Sequence, residues 1–148
     1  MMSTIRITKE FKFEMAHALV GHNGPCRNIH GHSYKLNVTV KGSVKNGTQD
    51  PDEGMVVDFT IIKNIVENLI VNEYDHSLVL WDKMKIDKSQ FEFMNKLILV
   101  PFNPTCENLL VYYSELIKKE LPSGIDLVYL LLRETPNSYA EWYASDND

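Results

Sequence analysis

Hydrophobic and polar residues alternate along the first part of the chain with the two-residue period of a β-strand. Over residues 5–17 one face is apolar and ends in a histidine, with Lys9 the exception, and its members are Ile5, Ile7, Phe11, Phe13, Met15 and His17. Residues 30–41 alternate likewise, and their matching face holds His30, His32, Tyr34, Leu36, Val38 and Val40. A twelve-residue loop rich in turn formers separates the two segments. The pattern therefore predicts two strands, which can pair as a hairpin with a long loop.

Two later segments carry apolar residues at the spacing of an amphipathic helix. Asp58 is the expected N-cap of the first helix, which should run to about Glu73. Thr105 is the expected N-cap of the second helix. That helix should end before Pro122, because proline cannot continue a helix.

The remaining segments complete the predicted order of elements. Residues 74–81 lead away from the first helix, and residues 82–100 are ambiguous, with at most a short helix around 88–96. Residues 125–134 predict a strand, and 139–144 a short last strand. The order β-β-α-α-β-β predicts an α+β fold with a four-stranded antiparallel sheet and two helices.

Length and composition indicate one globular domain spanning residues 1–148, with 44% hydrophobic and 24% charged residues. The net charge is -5 and the charges are scattered, so nucleic acid and anionic membranes are not expected partners, whereas a small anionic molecule remains possible. No segment has the length of a membrane span, and the N-terminal residues lack the apolar run of a secretory signal. Two cysteines make no disulfide framework, so we expect free thiols and a cytoplasmic location.

Three histidines share one phase of the predicted hairpin. His30 and His32 are two residues apart on a strand, so their side chains project from the same face. If the strands pair, His17 lies opposite them at the same end. Three neutral imidazoles suit Zn²⁺ and leave a fourth position open, as a catalytic zinc site requires. A His-x-His pair alone binds nothing in most proteins, and His22, in the loop, is expected to be an exposed histidine with no ligand role.

Ordered motifs along the chain resemble one known family. They span residues 11 to 143 and read FKFEMAHAL, CRNIHGHSY, GMVVDF, YDH, NPTCEN and RETPNSYAEWY. Together they are similar to the 6-pyruvoyltetrahydropterin synthase and 6-carboxytetrahydropterin synthase family. The resemblance implies a tunnelling fold (T-fold), in which subunits join as trimers around a β-barrel and two trimers commonly stack into a hexamer, with active sites between subunits. It also implies zinc ligands at His17, His30 and His32.

The resemblance further assigns three residues to proton transfer. Cys26 matches the catalytic cysteine; beside a bound dication it would be a thiolate able to take a proton from the substrate. Asp75 and His76 match an Asp-His pair that works with the cysteine, in which the carboxylate would raise the basicity of the imidazole. From the residues alone, Cys26 could be a buried small residue, and the pair could simply cap a helix end.

Substrate-binding positions follow from the same resemblance. Glu134 matches the glutamate that accepts hydrogen bonds from the amino and ring N–H groups of the pterin, although it could also be a solvated strand end. Thr105 and Glu107 match a further motif, while both also suit the start of a helix. Cys106 is expected to serve packing. Arg27 is the nearest candidate for the triphosphate, and no basic cluster stands out in the sequence.

The distance between the cysteine and the histidine pair separates two branches of the family. Three residues stand between Cys26 and His30, as in the 6-carboxy branch, whereas the 6-pyruvoyl branch has five. The first interpretation is therefore a synthase that converts 7,8-dihydroneopterin triphosphate into 6-carboxytetrahydropterin, acetaldehyde and triphosphate for queuosine precursors. A 6-pyruvoyl synthase, which releases triphosphate only, is the second. A non-catalytic protein that binds pterin or metal is the third.

Overall fold

The centre of the sheet is a hairpin of two long strands, seen in a computed structural model that describes residues 3–47 and 49–148. Strand β1, Thr4–His17, pairs antiparallel with β2, His30–Ser43, along their whole length. The register places Thr4 opposite Ser43 and His17 opposite His30. The predicted hairpin is therefore confirmed, because alternation with one buried face specifies both the strands and their register.

Two helical segments follow the predicted caps. Helix α1, Phe59–Val66, runs on through a π-helical turn, Glu67–Val71, and a last turn, Asn72–Tyr74. At its start the Asp58 carboxylate accepts a hydrogen bond from the backbone N–H of Thr60 at 2.7 Å. Helix α2 spans Cys106–Glu120, and the Thr105 hydroxyl accepts from the backbone N–H of Asn108 at 3.2 Å. Side-chain oxygens thus satisfy N–H groups that the first turns leave unpaired.

The prediction of a four-stranded antiparallel sheet is wrong, because the described residues form six strands in a mixed sheet. The four further strands are β3 (Ser77–Trp81), β4 (Leu97–Val100), β5 (Asp126–Thr135) and β6 (Ser138–Tyr143). The order is β4-β3-β1-β2-β5-β6, with β3 parallel to β1 and β4 parallel to β3. The two strands that the sequence did not predict are β3 and β4. Both are short, almost continuously apolar runs, which lack the alternation that identified β1 and β2. The helix expected around 88–96 is a single 3₁₀ turn, Lys88–Phe91.

Both helices contribute to a hydrophobic core on one face of the sheet. That core includes Phe13, Leu36 and Leu130 from the strands, Ile62 from α1 and Tyr113 from α2. The opposite face of the central hairpin carries exposed polar residues. No helix among residues 3–47 and 49–148 is long and apolar enough to cross a membrane. Because His17, His30 and His32 continue the apolar face, they point to the helix side of the sheet.

Candidate active site

The three histidines that the sequence analysis singled out as metal ligands lie close together at one end of the β1–β2 hairpin. His17 lies opposite His30, and His32 lies opposite Met15, so all three rings are on neighbouring positions of the same face. One ring nitrogen from each lies within 4.8 Å of the other two. His17 is buried, whereas His30 and His32 are half-buried. Strand pairing alone therefore brings together a group that could hold a metal ion.

Backbone carbonyls fix the orientation of two of the rings. The Nδ1 atom of His17 lies 2.7 Å from the carbonyl oxygen of Pro104, and Nδ1 of His30 lies 2.7 Å from that of Asn28. A carbonyl can only accept a hydrogen bond, so Nδ1 carries the proton in each ring and Nε2 presents a lone pair. The two Nε2 atoms are 3.0 Å apart. Two lone pairs at that distance repel unless a cation lies between them, so this donor set fits a metal ion.

The surroundings favour the neutral form of two of the three histidines. Burial lowers the pKa of His17, and this effect exceeds the opposing influence of the Glu134 carboxylate. Burial likewise lowers the pKa of His32, again against Glu134. A histidine binds metal through an unprotonated nitrogen, so lowered pKa values keep these two rings available as ligands to lower pH.

A cavity of about 510 Å³ opens in front of the histidines. It brings together most of the residues singled out in the sequence, namely His17, His30, His32, Cys26, Thr105, Glu107 and Glu134. Its size is that of a small-molecule site. His22 also lines this cavity, although the sequence indicated only an exposed loop histidine; it is indeed exposed. The position of His22 at the cavity depends on the fold of the loop between β1 and β2, which the sequence pattern does not give.

The two cysteines on this cavity differ in their surroundings. Cys26 is half-buried within a short turn, Pro25–Arg27, and its carbonyl oxygen accepts a hydrogen bond from the N–H of Leu19 at 2.9 Å. Cys106 is buried, and its thiol donates to the carbonyl oxygen of Leu132 at 3.2 Å. Burial, followed by the charge of Glu134, raises the pKa of Cys106 to about 12. Cys106 is therefore a protonated packing residue, as expected, and Cys26 is the more exposed of the two cysteines.

A buried tyrosine contacts the predicted pterin-binding carboxylate. The hydroxyl of Tyr34 donates to Oε1 of Glu134 at 3.3 Å, and the Tyr34 side chain has no exposed area. Burial raises the pKa of Tyr34 far above its ordinary value, so the hydroxyl stays a donor. The Tyr34 ring also lies edge-on to His32, with centroids 5.4 Å apart. The sequence pattern placed Tyr34 on the same face as the histidines but assigned it no function. In the structure Tyr34 contacts both His32 and Glu134.

The predicted Asp-His pair lies outside this cavity. Asp75 Oδ1 accepts from the N–H of Glu14 at 2.8 Å, and this bond is the main cause that lowers the pKa of Asp75. His76 Nδ1 lies 3.1 Å from Asp75 Oδ2, and His76 is exposed. His76 lines a second cavity of about 600 Å³ together with Glu14, Ser33 and Phe93, and this cavity shares His32 with the first one. Within one chain, the pair and Cys26 therefore do not share a cavity.

Comparison with known proteins assigns the chain to a defined family of enzymes. The family model described as 6-pyruvoyl tetrahydropterin synthase matches residues 6–145, and the chain belongs to this family. The membership expected from the motifs is thereby confirmed.

Two curated relatives of similar length are named as 6-carboxy synthases. The 6-carboxy-5,6,7,8-tetrahydropterin synthase of Haemophilus influenzae is 36% identical over 143 residues, covering 93% of this chain and 97% of the relative. The protein of that name from Aquifex aeolicus is 33% identical over 162 residues, with 92% and 96% covered. These similarities extend over nearly the whole of each chain.

Solved structures share the fold. The 6-pyruvoyl tetrahydropterin synthase of Caenorhabditis elegans superposes with a TM-score of 0.68 at 25% identity and covers 97% of both chains. The enzyme of that name from Plasmodium falciparum gives a TM-score of 0.71 at 24% identity, with 95% of this chain and 99% of the other covered. These structures therefore share the overall fold of this chain, an α+β fold with a mixed sheet and two helical segments.

Proposed function

We propose that the protein is a zinc-dependent 6-carboxy-5,6,7,8-tetrahydropterin synthase. It would convert 7,8-dihydroneopterin triphosphate into 6-carboxytetrahydropterin, acetaldehyde and triphosphate. One observation carries the proposal: a single cavity holds three histidine nitrogens within 4.8 Å of one another together with Cys26 and Glu134. The names of the curated relatives and the short spacing between Cys26 and His30 support this branch of the family.

The donor set favours zinc among the common metal ions. His17, His30 and His32 offer three neutral nitrogens, and carbonyl oxygens orient the first two rings. Zinc prefers nitrogen and sulfur ligands in a tetrahedral arrangement, and three protein ligands leave one position for substrate. When bound, zinc would polarise the side-chain oxygens of the substrate and make the neighbouring C–H more acidic.

The residues of the cavity divide the remaining tasks. Cys26, as the thiolate, would take the proton from the activated carbon and become the thiol. The Glu134 carboxylate would accept hydrogen bonds from the amino and ring N–H groups of the pterin, while the hydroxyl of Tyr34 holds one carboxylate oxygen in place. Thr105 already caps α2 through its hydroxyl, so Thr105 and Glu107 would shape the pterin pocket from the start of that helix.

The position of Asp75 and His76 supports a site shared between subunits. In the same chain, neither residue lines the cavity that holds Cys26, and His76 lines a different one. We therefore propose that the pair serves the cavity of a neighbouring copy, in trimers or in hexamers made of two trimers. The proposed partners are thus a reduced pterin triphosphate and further copies of this chain.

The alternative is a 6-pyruvoyl synthase, because the two solved structures described above carry that name. Incubation with 7,8-dihydroneopterin triphosphate and mass spectrometry of the pterin products separates the possibilities. The proposal predicts 6-carboxytetrahydropterin, which has lost two side-chain carbons. A 6-pyruvoyl product would assign the chain to the other branch. Pterin binding without any turnover would favour a non-catalytic binding protein.

A further inference from the structure

The cavity described above lacks the charges that one end of the proposed substrate requires. Among its lining residues, which belong to the described part of the chain, two are carboxylates, Glu107 and Glu134, and none is a lysine or arginine. A triphosphate group carries several negative charges and is normally bound by cationic side chains. If the proposed function is correct, cations from beyond this lining must therefore bind the triphosphate.

A second cleft adjoins the first where two strands separate. Strands β2 and β5 pair from Lys41 opposite Asp126 as far as Lys35 opposite Arg133, where the described pairing ends. The cleft beyond that point has a volume of about 660 Å³ and includes Lys35 and Arg133 among its lining residues. It shares His32, Glu134 and Thr135 with the histidine cavity. The two cavities therefore border on the same three residues, at the place where β2 and β5 stop pairing.

Three cations form a row across this region on the exposed face of the sheet. Lys12 lies directly opposite Lys35, and Lys35 lies directly opposite Arg133. Adjacent strands are about 4.8 Å apart, and like charges directly opposite each other destabilise a sheet. Among the described residues, none of the three has a carboxylate oxygen within ion-pair distance.

Nearby carboxylates leave the row only partly compensated. Glu10 and Glu14 lie two residues to either side of Lys12 on the same face of β1. The Glu14 carboxylate accepts a hydrogen bond from the Ser33 hydroxyl at 2.7 Å. Glu134 faces the cleft itself, but the Tyr34 hydroxyl contacts its carboxylate from the core side. Lys35 and Arg133 are therefore the positive charges nearest the cleft.

The guanidinium group of Arg133 is held in a defined position. Its Nη1 donates to the carbonyl oxygen of Pro136 at 3.0 Å, and its central carbon lies 4.4 Å from the centroid of the Tyr139 ring. Arginine has five N–H donors, so this contact leaves others for a ligand. A guanidinium already fixed by stacking loses less conformational entropy on binding an anion.

We propose that Lys35 and Arg133, extended by Lys12, bind the triphosphate group of the pterin substrate. The pterin ring would then lie at Glu134 and the three-carbon side chain at the histidines, with the phosphates in the cleft between β2 and β5. This inference rests on the proposed function for the identity of the ligand. The sequence had offered Arg27 instead, because only strand pairing reveals that Lys12, Lys35 and Arg133 are neighbours.

Direct binding of inorganic triphosphate tests the site without turnover. Calorimetry at fixed ionic strength should show that Lys35→Gln and Arg133→Gln each weaken triphosphate binding roughly 10- to 100-fold, the effect of losing a charge-assisted hydrogen bond. Lys41→Gln is the matched control, since Lys41 lies on the same strand and face, six residues from Lys35. Arg27→Gln tests the rival position. Metal content must be measured before and after, because triphosphate itself binds metal ions.

Each outcome has a distinct meaning. The site would be supported if Lys41→Gln and Arg27→Gln keep the wild-type affinity for triphosphate. Lys35→Gln and Arg133→Gln should then also show a higher KM for the pterin triphosphate. Equal losses in Lys41→Gln would show non-specific attraction, and a loss confined to Arg27→Gln would move the site to the loop; either result overturns the proposal. Weakened triphosphate binding with unchanged KM would also overturn it. Dihydroneopterin, which has no phosphate, should bind all variants alike, and its failure to bind the wild type would count against the proposed function instead.

Discussion

If zinc binds at the three histidines as proposed, loss of one of them should abolish the stabilisation that zinc gives to the folded protein. The change is His30→Ala, with His22→Ala as the control, because both histidines line the same cavity and only His30 belongs to the group of three. His30 is half-exposed, so we expect little change in the melting temperature of the metal-free protein. Any difference between the variants should therefore appear only when metal is added.

The expected size of the effect follows from linkage between binding and folding. A ligand at 100 times its Kd stabilises the folded state by about 2.7 kcal/mol. For a protein of this size, each kcal/mol shifts the Tm by roughly 2–4 °C, so zinc should raise the Tm by roughly 5–10 °C. Zinc bound by histidines of the unfolded chain would reduce that figure. The shift should weaken as the pH falls, because protons compete for the ring nitrogens.

Calorimetric or fluorescence melts with and without zinc, together with metal analysis, measure this effect. The wild type and His22→Ala should bind about one zinc per chain and show the shift, whereas His30→Ala should show neither. Unchanged zinc content in His30→Ala would refute the three-histidine site. Loss of zinc in His22→Ala alone would place the metal in the loop.

Three further predictions concern the proton carrier, the pterin carboxylate and the assembly. Cys26→Ala should keep its zinc and lose about 10²–10⁴-fold in turnover, while Cys106→Ala should keep most activity; wild-type turnover in Cys26→Ala would exclude it as the base. Tyr34→Phe should weaken pterin binding about 10-fold without loss of zinc, because Glu134 loses a hydroxyl donor. Tyr113→Phe is its control, since that buried hydroxyl has no hydrogen-bond partner among the described residues; equal losses in both would show a packing effect. Light scattering should show trimers or hexamers at micromolar concentration, and a monomer would contradict the shared site.

Local sequence signals predicted the parts of the fold that depend on neighbours along the chain. Strands β1 and β2 have one buried and one exposed face, so alternation identified them and their register. Asp58 and Thr105 marked the first residues of the helices because their side chains satisfy N–H groups of the first turn. Each of these features is settled by interactions within a few residues or across one hairpin.

The two parallel strands depend on contacts that no local pattern records. Strand β3 is buried in four of its five residues, and β4 has only four residues. A short apolar run of this kind cannot be distinguished from a piece of buried helix by periodicity. The pairing of β3 with β1 places Met15 opposite Ser77, and these residues are far apart in sequence. The error in strand number therefore arose where tertiary contacts determine the structure.

The sequence predicted those parts of the candidate site that depend on which face of a strand a residue occupies. The shared phase of the histidines correctly anticipated that His17 and His30 are opposite each other. The contact between Tyr34 and Glu134 joins residues 100 positions apart, and sequence alone could not reveal it. Likewise, the position of His76 in another cavity depends on how β3 enters the sheet.

Acetaldehyde released per triphosphate released is the most direct measure of the proposed activity. Purified zinc-loaded protein would be incubated with 7,8-dihydroneopterin triphosphate, with trapped acetaldehyde and free triphosphate quantified in the same sample. Carbon–carbon cleavage in every turnover predicts nearly equal amounts of the two, and Cys26→Ala should lower both together. Triphosphate without acetaldehyde would contradict a 6-carboxy synthase.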